Sequence, residues 1–187
     1  MTIKTATVNG VATIEIARPE KKNALTQAMY SAMADAIAAA EADPAVRAVL
    51  ITGQPGVFTS GNDLEDFMQR PPAGEDSPVF KFMKTLSECG KPVVAAVTGG
   101  AIGIGTTMLL HCDLVYVSDE ARLAMPFVSL GLVPEYASSL LLAQRIGHCL
   151  VHRHRQRVLL LRPRDLDRGH VVDGGGADLI HADLQSV

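Results

Sequence analysis

The stretch from Lys91 to Asp113, KPVVAAVTGGAIGIGTTMLLHCD, constrains this chain more than any other. A short buried run, Pro92 to Val97, enters a glycine-rich bend, Gly99 to Gly105, from which an apolar helix leaves through Met108, Leu109 and Leu110. The glycines permit a tight backbone path and leave amide N–H groups uncovered by side chains. The new helix turns its positive dipole end to the same spot, so the bend suits an anion or a developing oxyanion. A nucleotide-phosphate loop reads poorly here, because Gly100, Gly103 and Gly105 run in the order GxxGxG with no lysine after them. Glycines that merely let a helix pack closely on a strand are the plain alternative, and the bend alone leaves both open.

Read in order, the chain opens with a hairpin: Ala12, Ile14 and Ile16 alternate with Thr13 and Glu15 after a turn at Asn9-Gly10. Arg18-Pro19 ends it. Asn23 or Thr26 is placed to cap a helix carrying Met29, Met33 and Ile37, which Asp43-Pro44 stops, and Ala48 to Thr52 reads as a continuous apolar strand. The next loop, VFTSGNDLEDF, has turn chemistry at Ser60-Gly61-Asn62 and a carboxylate at Asp63 that reads first as a helix cap. Arg70 to Pro78 is a proline-interrupted surface segment. After the central bend, Leu114 to Ser118 and Leu123 to Pro126 read as strands. Glu135, following Pro134, is expected in the first turn of an apolar helix. There it could simply complement the dipole. Its neighbours Phe127, Val128, Leu130, Leu132, Val133 and Tyr136 suggest instead a desolvated carboxylate with a raised pKa, fit to act as a base.

Composition bounds the remaining choices. At 187 residues and a formal charge of −3, the chain reads as one globular domain with no electrostatic case for nucleic acid or an anionic membrane. No apolar run is long enough for a bilayer span and no signal-peptide pattern opens the chain. Cys89, Cys112 and Cys149 form no CxxC pair, which favours a reducing, cytoplasmic setting over a zinc site or a disulfide framework. Ser60, His111 and Asp113 lack the GxSxG elbow of a hydrolase, so His111 reads as a structural histidine. His148, His152 and His154 have no carboxylate or cysteine at a ligand spacing, so no metal site is expected.

Taken together, the GNDL loop, the GGAIGIG bend, HCDLVYVSD and PFVSLGLVPE, in this order and spacing, resemble the crotonase superfamily, the enoyl-CoA hydratase and isomerase group. The resemblance runs from the N-terminal hairpin to Gly147. It implies an α/β fold built as a spiral of ββα turns, and two backbone amides, on Ser60 and Ile104, that bind the thioester oxygen of an acyl-CoA. It also implies substrate contacts at Ser60, Gly61, Asn62, Asp63, Leu64 and Gly103. Hydratases of the group supply glutamates at positions that here hold Thr107 and Phe127, and neither is a general base at neutral pH. Glu135, followed by Ser138 and Ser139, looks instead like the single base of the Δ3,Δ2-enoyl-CoA isomerase branch. That chemistry requires no metal or redox cofactor, since coenzyme A belongs to the substrate.

From about Cys149 the chain departs from the family pattern. The core is expected over residues 1–147, and residues 148–187 form a divergent, arginine-rich segment without the family's closing helices. All six lysines lie before Pro92, whereas seven of eleven arginines and five of six histidines lie from Arg145 onward. A reading-frame slip in a GC-rich gene would produce such a change; a divergent end, with a buried run at Val158 to Leu161 and a turn at Gly174 to Gly176, is the alternative. Apolar faces left by the missing helices imply association into a homo-oligomer, a trimer by family resemblance. Three functional readings stand: an isomerase using Glu135, a hydratase or other lyase with an atypical base, and a non-catalytic acyl-CoA-binding paralogue.

Overall fold

The computed structural model of the protein describes residues 2–146. The expectations for residues 148–187, among them the run at Val158 to Leu161, the turn at Gly174 to Gly176 and the histidines at 148, 152 and 154, lie outside the described residues.

The hairpin pairs β1 (Ile3–Val8) with β2 (Val11–Ile16) in antiparallel register, Val8 opposite Val11. Asn9 and Gly10 both take positive φ, 51° and 80°, the mirror-image turn that matches strand twist. α1 (Gln27–Ala42) follows, capped by Thr26, whose hydroxyl accepts from the Met29 N–H. Asn23, the other candidate cap, is fully buried and bonds elsewhere. The helix buries Met29, Met33 and Ile37, as their spacing predicts.

From there the chain repeats one unit: a strand in a large sheet, a short strand in a second sheet, then helix. β3 (Ala48–Thr52), β4 (Val57–Thr59), α2 (Leu64–Gln69) and α3 (Pro78–Glu88) form the first round. The second comprises β5 (Val93–Val97), β6 (Gly100–Ile102) and α4 (Ile104–Thr107). The third comprises β7 (Leu114–Val117), β8 (Arg122–Ala124) and α5 (Ser138–Ile146). The large sheet runs β1-β2-β3-β5-β7 and the small one β4-β6-β8, with every pair after the hairpin parallel. Ile14, Ile16, Val49, Ile51, Val93 and Ala95 of the large sheet are buried in the same core as Met29, Met33 and Ile37 of α1.

Two local features differ from expectation. The glycine-rich bend contains the strand β6, and the helix leaving it is a single α-turn that continues as a 3-10 helix over Met108–His111. Its dipole is correspondingly small, so individual amides rather than a long helix must supply any anion affinity there. The plain reading of the bend also holds at one position: a Cβ on Gly105 would sit 2.5 Å from Thr59 Cγ2 and 3.2 Å from Thr59 O. α4 is seated directly on the end of β4.

That contact sets a prediction. Gly105→Ala is expected to destabilise the protein by about 1–3 kcal/mol through overpacking. Adding Thr59→Ser, which removes Cγ2 and keeps the hydroxyl, recovers most of the loss in urea unfolding. Equal losses in both backgrounds would place the cause elsewhere.

Candidate functional site

β4 and β6 are adjacent parallel strands, Thr59 opposite Ala101, so the loops leaving their C-terminal ends emerge side by side. The crevice beyond the carboxyl ends of parallel strands is where ligands of α/β folds are held. Gly61, at φ +93°, brings the first loop against the second: a Cβ there would stand 3.0 Å from Ile102 O. Gly103 takes φ +57°, and a Cβ on it would meet nothing within 4 Å, so open space fronts the bend.

The hydrogen bonds of the two loops identify which amides are free. In the first loop, Ser60 N–H donates to Lys22 O at 3.0 Å and Gly61 N–H to Thr59 Oγ1 at 3.1 Å. Asp63 N–H donates to Leu25 O at 2.8 Å. Among the described residues, the Asn62 N–H alone of these four has no acceptor. In the second loop, Gly103 N–H donates to Ala124 O, and Thr106 and Thr107 N–H both donate to Gly103 O, which leaves the Ile104 and Gly105 amides unpaired among the described residues. The expectation for Ile104 therefore agrees with its unpaired amide, whereas Ser60 as a donor needs correction: its N–H is spent on a carbonyl from a segment 38 residues earlier in the chain.

The other expected contact residues divide. Asp63 is buried and its carboxylate is committed internally, accepting from Arg18 Nη1 at 2.6 Å and from the Glu65 and Asp66 N–H groups at the start of α2. The Arg18 hydrogen bond, followed by the Asp66 amide, holds its carboxyl below the usual carboxylate range. Leu64 is exposed at the first position of α2. Asn62 is half-buried, and its Oδ1 accepts a short hydrogen bond from the hydroxyl of Tyr30, a fully buried residue of α1.

Glu135 is half-buried and its pKa is raised by burial. The Tyr30 phenol is likewise pushed up, first by its own burial and second by the charge of Glu135, so the carboxylate lies within electrostatic reach of the Tyr30–Asn62 pair. Two details of the expected setting are corrected. Glu135 precedes α5 rather than lying in its first turn, because Tyr136 and Ala137 take positive φ and delay the helix to Ser138. Val128, Leu130, Leu132 and Val133 are exposed and do not wrap the carboxylate. Phe127 and Thr107 are buried.

The imagined Ser60–His111–Asp113 triad is absent: His111 Nε2 bonds Tyr136 O at 3.0 Å, and Asp113 Oδ2 accepts from Val93 N–H at 2.9 Å. Tyr30 and the Asn62 amide are the site groups that sequence reasoning missed. Tyr30 sits on the buried face of α1 beside Met29 and Met33, where its hydroxyl was the one signal of a polar task.

Unpaired amides at the ends of parallel strands, together with a desolvated carboxylate, are the groups needed to stabilise an enolate and move a proton. A family model described as enoyl-CoA hydratase/isomerase matches residues 6–174, and the chain belongs to that family. Its crotonase-type fold is shared with solved structures. OdaA of Pseudomonas aeruginosa is 57% identical with a TM-score of 0.76, the alignment covering 79% of this chain and 60% of that one. An enoyl-CoA hydratase/isomerase from Pseudoalteromonas atlantica T6c is 45% identical with a TM-score of 0.77, covering 81% and 61%. Among curated relatives, human enoyl-CoA delta isomerase 2 is 37% identical over 145 residues, 74% of this chain and 36% of that protein. The enoyl-CoA hydratase ACTT3 of Alternaria alternata is 34% identical over 143 residues, 75% of this chain and 48% of that protein. The chain thus matches about half or less of the length of these two.

Removing the Tyr30 hydroxyl tests the polar contact. Tyr30→Phe is expected to cost about 1 kcal/mol in urea unfolding, because Asn62 Oδ1 loses its donor. In an Asn62→Ala background the same change should cost close to nothing, and an undiminished cost there would remove the hydrogen bond as the cause.

Proposed function

We propose that the protein moves a double bond from C3 to C2 of an enoyl-CoA, with Glu135 as the single base and the Asn62 and Ile104 amides as the oxyanion donors. The observation that carries this reading is the pairing of a desolvated carboxylate with two loops that each keep an unpaired amide. Glu135 takes a proton from C2, and the electrons of that C–H bond pass into the thioester, giving a dienolate whose oxygen accepts from the two amides. The same carboxyl then returns the proton at C4, leaving the double bond between C2 and C3. Atoms balance without water, metal or an electron carrier. Thr107 and Phe127, where a hydratase of this group would carry its glutamates, offer no second base.

The substrate class follows from the family, whose relatives act on coenzyme A thioesters by name. Homo-oligomeric assembly belongs to the same proposal, supported by the exposed Val128, Leu130, Leu132, Val133 and Leu140. A cytoplasmic site of action rests on the cysteine pattern alone. Among the described residues no helix is long and apolar enough to cross a membrane.

An assay following conjugation of 3-hexenoyl-CoA tests the reaction. Glu135→Gln is expected to lower kcat by about 10²–10⁴-fold, the usual worth of a positioned proton-transfer group. Because the base must be ionised and burial raises its pKa, kcat/KM should fall with decreasing pH at a point above the ordinary glutamate range. Water addition to 2-enoyl-CoA without isomerisation would establish a hydratase instead, and thioester binding without turnover a non-catalytic paralogue.

A further inference from the structure

Resting on the proposed role of Glu135, we infer that His111 is a positioning residue: with Tyr136 it clamps a strained two-residue turn that holds the Glu135 carboxylate in the site. Tyr136 and Ala137, the two residues after Glu135, take φ of 54° and 52°. Side chains with a Cβ rarely adopt that region, and adjacent instances persist only where the surroundings over-determine them. Here three contacts do so. His111, on the 3-10 turn after α4, donates from Nε2 to Tyr136 O at 3.0 Å. Its ring stacks on the Tyr136 ring with centroids 3.6 Å apart and planes 16° from parallel. The Tyr136 hydroxyl donates to Met83 O of α3 at 2.5 Å.

The clamp therefore joins the backbone immediately after Glu135 to two elements that are themselves buried, at Phe82 and Leu86 of α3 and at Leu109 and Leu110 beside His111. The helix beyond it is fastened to the same turn, since Ser138 N–H donates to Glu135 O and the Leu140 and Leu141 amides to Ala137 O. Burial lowers the pKa of His111; the hydrogen bond to the Tyr136 carbonyl offsets part of this and Arg145 adds to it, so the net direction favours a neutral ring with one N–H to donate. A histidine used merely as filler needs neither the donor nor the flat stack. Without that donor and stack, the strained backbone after Glu135 would relax and carry the half-buried carboxylate out into water.

Four variants of the full chain separate positioning from packing. His111→Phe keeps a ring for stacking and loses the donor. His111→Gln keeps a donor and loses the ring. Ala137→Gly removes the penalty for positive φ, and the fourth variant combines it with His111→Phe. His111→Phe is expected to lower kcat on 3-hexenoyl-CoA by about ten- to a hundredfold, the usual effect of a small misplacement of a reacting group. KM should stay within about twofold, as for a loss realised only in the transition state. His111→Gln should retain more activity than His111→Phe, and Ala137→Gly should restore most of what His111→Phe loses. The titration of the Glu135 carboxyl, followed by carbon NMR and assigned with Glu135→Gln, reads the same clamp without turnover: in His111→Phe it should shift down toward the ordinary glutamate range as water reaches the group. An unchanged Glu135 titration in His111→Phe overturns the inference, as does an activity loss that follows thermal stability and is not rescued by Ala137→Gly. A wild-type protein inactive on 3-hexenoyl-CoA overturns the isomerase reading alone, since the titration still decides the role of His111.

Discussion

Asn23 is the joint on which the site loop depends. It is fully buried at φ 57°, and its side-chain amide lies 3.0, 3.2 and 3.1 Å from the carbonyls of Ile16, Val57 and Phe58, while its Oδ1 accepts from the Arg18 N–H at 2.7 Å. Its own carbonyl accepts from Thr59 Oγ1 at 2.7 Å. One residue thereby ties the end of β2, in the large sheet, to β4, in the small one. The Lys22 carbonyl and the Leu25 backbone continue the seam by pairing with Ser60, Gly61 and Asp63. Buried polar groups are costly unless all are paired, so a segment stitched this way has essentially one arrangement. That arrangement leaves the Asn62 amide facing outward from the seam.

The same joint explains what could and could not be read from the chain. Elements with strong local signals were legible: the Asn9-Gly10 hairpin, the α1 face of Met29, Met33 and Ile37, the apolar strand from Ala48 to Thr52, and the glycine bend with Ile104 at its helix start. Family resemblance pointed to the crotonase-type fold. The choice between Ser60 and Asn62 was not legible, because the two amides differ only in whether Lys22, 38 positions away, supplies an acceptor. The choice between Asn23 and Thr26 as the α1 cap was hidden for a related reason. The residue type of Asn23 suits a helix cap, and only the assembled sheets reveal that its amide lies within hydrogen-bond distance of the Ile16, Val57 and Phe58 carbonyls.

Glu135 illustrates a different case, in which the expected upward pKa shift has another cause than the neighbours in sequence. The apolar residues beside it in sequence suggested a greasy wall, yet Val128, Leu130, Leu132 and Val133 are exposed, while buried Tyr30 of α1 lies within reach of its charge. Sequence neighbours in a turn point in different directions, so hydrophobicity along a non-periodic segment does not report a residue's surroundings.

The two halves of the site are built to different standards of rigidity, and the proposed chemistry accounts for the difference. An oxyanion donor contributes most when it is fixed beforehand, since any reorganisation during the reaction is subtracted from its benefit. The Asn62 and Ile104 amides meet that demand: their chain neighbours at positions 60, 61, 63, 103, 106 and 107 are all hydrogen-bonded. A base that removes a proton from one carbon and returns it two carbons away has a different requirement, because its carboxyl must reach both positions while staying out of water. A glutamate mounted on a short turn meets both conditions where a residue inside a helix would not: its three-bond side chain can pivot while the backbone beneath it is held. The left-handed pair at Tyr136 and Ala137 is the local cost of that mounting, since continuing α5 back through these two residues would instead have fixed Glu135 on the helix surface.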